Sequence, residues 1–109
     1  MTNNIYGIDA DKPITAFMIR DAIVTCFYKA HCVETGLNPD KKSPANQEYC
    51  RSIIRKFFKD TNGDFDNPDK KSIEEVLKAL VKFSENFRDS SIIEKHYNEI
   101  MILMGKLEE

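Results

Sequence analysis

Between Thr15 and Gly36 the chain reads TAFMIRDAIVTCFYKAHCVETG, with apolar residues returning every three or four positions. Ile19, Ala22, Ile23, Cys26, Phe27, Ala30 and Val33 form one stripe at helical spacing. Thr15 is placed to cap the first turn, because its hydroxyl can accept a hydrogen bond from a free backbone N–H. Ile14 and Ile19 have the spacing of a hydrophobic staple. Gly36 tolerates the left-handed conformation that ends a helix, and Asn38-Pro39 then turns the chain. A second apolar line, Phe17, Val24 and Tyr28, leaves little of this helix polar, which predicts burial on both sides.

Working outward, three more segments carry the same period. Ser43-Pro44 supplies an N-cap and a first-turn proline, and Cys50, Ile53, Ile54, Phe57 and Phe58 give the face that follows, with Tyr49 on its flank. Ser72-Ile73-Glu74-Glu75 has the form of a capping box opening a third helix. Its stripe is Ile73, Val76, Leu77, Leu80 and Phe87, widened by Val81 and Phe83. Ser91-Ile92-Ile93-Glu94 has the same form and opens a fourth, with Ile93, Tyr97, Ile100, Met104 and Leu107. No segment alternates with period two in the manner of a strand. The expectation is an all-α, compact four-helix bundle-like domain, with helices at about 16–35, 44–59, 73–88 and 92–107. A polar N-terminal tail, 1–14, precedes a single helical domain over 15–109.

Composition sets outer bounds. A chain of 109 residues with net charge −2 favours one domain and gives no global basic field toward nucleic acid. Cys26, Cys32 and Cys50 fit neither a disulfide framework nor a paired zinc motif. The first dozen residues lack the basic and apolar regions of a signal peptide. No apolar run approaches the ~20 residues of a membrane span. These features together suggest a cytoplasmic protein with reduced thiols.

Asp60, Asn62, Asp64 and Asp66 occupy alternate positions after the second helix, as ligands of a calcium loop do. Counted from Asp60, however, the EF-hand glycine, aliphatic and bidentate glutamate positions fall on Phe65, Asn67 and Lys71. The simpler reading is a polar turn in which Asn62-Gly63 takes positive φ and Asp side chains bond nearby backbone. Calcium held by the four residues is the alternative.

Arg51, Arg55 and Lys59 line one side of the second helix, the strongest local charge asymmetry in the chain. They are the candidate contacts for a polyanion such as nucleic acid, against the plainer reading of a solvated outer face. Cys26, His31 and Cys32 point in three directions on one helix, so they do not share a metal. Cys26 and Cys50 both lie on core stripes and are expected to meet, and Cys32 is expected to pack on Leu37 beyond the glycine cap. The Glu-x-x-His pairs that mark metal sites in bundles do not occur.

The remaining excess is apolar. The first helix and the IMILM end of the fourth, Ile100 to Met104, carry more apolar surface than a small bundle needs. That points to contact with a second copy or another protein, unless Ile5, Tyr6 and Ile8 of the tail cover one of them. The expected function is therefore a non-enzymatic interaction protein, a homodimer or a subunit of an assembly, contacting its partner through Phe17, Val24, Tyr28, Ile102 and Leu103. No cofactor and no small-molecule substrate is expected. Binding of a polyanion by 44–59 or of calcium by 60–71 is the alternative.

Overall fold

The computed structural model describes residues 4–5, 8–9, 13–38, 41, 43–89 and 91–107, the first two pairs by backbone alone. Four helices make up the fold: α1 (Ala16–Thr35), α2 (Pro44–Asp60), α3 (Lys70–Phe83) and α4 (Ser91–Met104). Ahead of them, β1 (Asn4–Ile5) pairs antiparallel with β2 (Ile8–Asp9), with Ile5 opposite Ile8. Two residues per strand are too few for a period-two pattern to show, and this small ladder lies inside the expected polar tail. Whether the tail side chains cover an apolar helix lies outside the described residues.

α1 begins and ends as its sequence requires. The Thr15 hydroxyl accepts from the Met18 N–H at 3.3 Å. At the other end Gly36 has φ 75°, and two bonds cross it: Gly36 N–H to Val33 C=O and Leu37 N–H to Cys32 C=O. This paired arrangement satisfies carbonyls that the helix end would otherwise leave open. α2 starts where Ser43 and Pro44 predict, with the Ser43 hydroxyl accepting from the Asn46 N–H.

α3 departs from expectation at both ends. Its N-cap is Asp69, whose carboxylate accepts from the Ser72 N–H at 2.7 Å, so Ser72 lies within the first turn. The helix stops at Phe83 and tightens into a 3-10 turn over Ser84–Asn86, leaving Phe87 extended. The buried Ser84 hydroxyl donates to the Val81 carbonyl inside this break. α4 likewise starts one residue early, with Asp89 accepting from the Ser91 N–H.

α1 and α3 each pack against both α2 and α4 and against one another, so one core serves all four helices. Ile19, Ile23, Phe27, Ile54, Phe58, Ile73, Leu77, Leu80, Ile93 and Ile100 are among its fully buried side chains. The radius of gyration is 13.4 Å, close to the ~13 Å expected for a compact chain of this length. Among the described residues no helix is long and apolar enough to cross a membrane.

Gly63 joins the α2 end to the α3 start at close quarters. A Cβ there would sit 2.7 Å from Ser72 Cβ and 3.3 Å from the buried Phe58 ring. Gly63→Ala is expected to lower stability by about 1–3 kcal/mol, as overpacking does, read as a fall in Tm. Asp69→Ala is expected to cost about 1 kcal/mol as a lost cap. Hydrogen bonds from the Ser72 N–H and hydroxyl hold the Asp69 carboxyl below its usual range. The folded pKa lies under the unfolded one, so this contribution is present at neutral pH and is lost as pH falls through the folded value. The Tm difference between the two proteins should therefore close in acid.

Candidate interaction surface

The five residues expected to form a contact do not form one surface. Tyr28 and Leu103 are buried in the core, and Val24 is half-buried against it. These three are corrected from contact to core or core edge. α1 is flanked by α2 and α4, so its second apolar line is largely used within the chain. The Tyr28 hydroxyl donates to the Lys41 carbonyl at 3.2 Å, tying the α1–α2 connection down over it. Only Phe17 and Ile102 stand exposed, at 47% and 59%.

A different apolar surface emerges from α1, α2 and the end of α3. Six rings touch in series. Tyr49 lies 5.1 Å from His31, which lies 6.5 Å from Phe27. Phe27 meets Phe83 edge-on at 5.9 Å and Phe87 at 6.3 Å. Phe83 also meets Phe57 at 5.6 Å and Phe87 at 5.8 Å, again edge to face. Such geometry aligns positive ring edges with negative faces, and each pair contributes about 0.5–1.5 kcal/mol beyond area burial. Phe27 is buried, while His31, Phe57 and Phe87 are half-buried. Tyr49 and Phe83 are about half exposed, at 49% and 45%.

The break at Ser84 creates this surface. A helix continuing to residue 88 keeps Phe83 and Phe87 on the α3 stripe. The 3-10 turn instead lays Phe87 beside Phe27, and Glu34 of α1 accepts the following Arg88 N–H to hold it there. By their spacing in the sequence Phe57, Phe83 and Phe87 read as core and Tyr49 as flank. The available signal was Tyr49, Ile53 and Phe57 at four-residue steps, a line of large apolar side chains beside the Cys50/Ile54/Phe58 line that fills the core.

The acidic loop has a structural role. Asn62 takes the left-handed conformation, with φ 63°. Asp64 accepts from the Asp66 N–H at 2.9 Å, as a turn-forming aspartate does. Between them Phe65 turns inward, is buried, and meets Phe58 edge-on at 5.9 Å. Arg20 of α1 lies 4.6 Å over the Phe65 ring and donates to its carbonyl at 2.7 Å, while Arg55 of α2 lies 4.7 Å over the same ring. Asp66 stands 4.0 Å from Arg55. Asp64 and Asp66 thus have partners within the fold, and Asp60 and Asn62 are exposed at the helix end and turn. Among the described residues no group of three or more His, Cys, Asp or Glu side chains is placed to hold a metal ion.

The arginines of α2 are similarly engaged. Arg51 pairs with Glu48 at 3.4 Å, and Arg55 is spread over Phe65 beside Asp66. Arg51 and Arg55 thus each stand beside a carboxylate while remaining about half exposed. Lys59 is exposed at the end of the same line.

Cys26, Cys32 and Cys50 are free and buried. Burial pushes the Cys26 and Cys50 thiols up to about 12. Protonated thiols of this kind are poor nucleophiles at neutral pH. Cys32 is a further influence on Cys50, and Lys29 and Glu99 are the charged neighbours of Cys26. The Leu37 N–H bonds the Cys32 carbonyl across the glycine cap, with Cys32 buried and the Leu37 side chain partly exposed. His96 of α4 stands 3.5 Å from Glu99, and burial holds its pKa below the ordinary value against the opposing pull of that carboxylate.

Phe65→Ala is expected to lower stability by about 3–5 kcal/mol, the range for a buried phenylalanine. Calcium is expected to leave the Tm of the wild-type protein in place, since a ligand raises Tm only by binding the folded state. A rise with calcium that Asp64→Ala abolishes is the contrary result. Comparison of the chain with protein-family models, curated proteins and solved structures found no match.

Proposed function

We propose that this is a small helical interaction protein whose contact surface is the aromatic face of Tyr49, His31, Phe57, Phe83 and Phe87, working in a homodimer or as a subunit of a larger assembly. The observation that carries the reading is the half-exposure of Tyr49 and Phe83 within an unbroken series of ring contacts. Aromatic residues are enriched where protein surfaces meet, because they bury large areas while losing few rotamers. A cytoplasmic setting, which keeps the three thiols reduced, belongs to this proposal.

The test compares two single changes on different surfaces. Phe83→Glu places a charge in the aromatic face, and Ile102→Glu places one on the exposed side of α4. Any complex the protein forms, with itself or with a protein captured from extract, is expected to weaken about tenfold or more with Phe83→Glu, as at an interface hot spot. The same complex should survive Ile102→Glu. A complex that Ile102→Glu abolishes and Phe83→Glu spares assigns the contact to α4 and ends this reading.

A further inference from the structure

We draw no further inference here: the strongest candidate, the half-exposed aromatic face where α1 and α2 meet the end of α3, belongs to the surface already described, and nothing in the structure shows what covers it.

Discussion

The fold is arranged around α1, which the other three helices cover while one line along it, Phe17, Asp21, Thr25, Lys29 and Val33, stays exposed. α1 carries more apolar surface than one partner can cover, and its Ile19, Ile23, Cys26, Phe27 and Cys32 are almost wholly removed from water. α2 takes one flank, α4 takes the other, and α3 closes the front. Fully burying a large aliphatic or aromatic side chain contributes about 1.5–3 kcal/mol, so leaving these side chains open to water is strongly disfavoured. The acidic loop serves the same end. Phe65, held beneath two guanidinium groups, fastens the α2–α3 connection to α1. Its aspartates make the turn that lets the phenylalanine point inward.

Where local chemistry was unambiguous, the sequence was sufficient. Thr15 and Gly36 bracket α1 because each has a single physical use at its position. Ser43-Pro44 starts α2 for the same reason. At the α3 start two valid caps compete, Asp69 and Ser72, three residues apart. Local pattern favours Ser72 with its following glutamates. Tertiary packing decides for Asp69, because Ser72 is needed inside the helix, against the space that Gly63 leaves. The α3 end was illegible for a related reason. Nothing in Phe83-Ser84-Glu85-Asn86-Phe87 forbids a continuous helix, and the break follows from side-chain bonds at Ser84 and the anchoring of Arg88 on Glu34.

That break is one reason the exposed aromatic face differs from the surface the sequence suggests. Excess apolar character is visible in α1 and in the end of α4, and by sequence alone it points outward. Most of it went inward, with Tyr28 and Leu103 buried. The surface that did remain arose from residues whose periodicity marked them as core. Phe83 and Phe87 sit at helical spacing, but the helix that carries Phe83 does not continue, and Phe57 follows Tyr49 and Ile53 at four-residue steps on α2. Periodicity reports which side of a helix a residue occupies. It does not report whether the neighbour that should cover that side is present.

The embrace of α1 by α4 also bears on the order of events during synthesis. Of the four helices α1 is synthesised first and α4 last, yet the two share an extensive contact in the finished molecule. Until α4 arrives, the side of α1 that carries Cys26, which Glu99 neighbours in the finished molecule, has no cover from α4. The Arg20–Phe65 clasp spans 45 residues and can form before then, fixing α2 and the loop on the opposite side. A nascent chain therefore passes through a stage that is closed on one flank and open on the other. Such a stage displays an apolar helix to its surroundings for as long as translation of α3 and α4 takes.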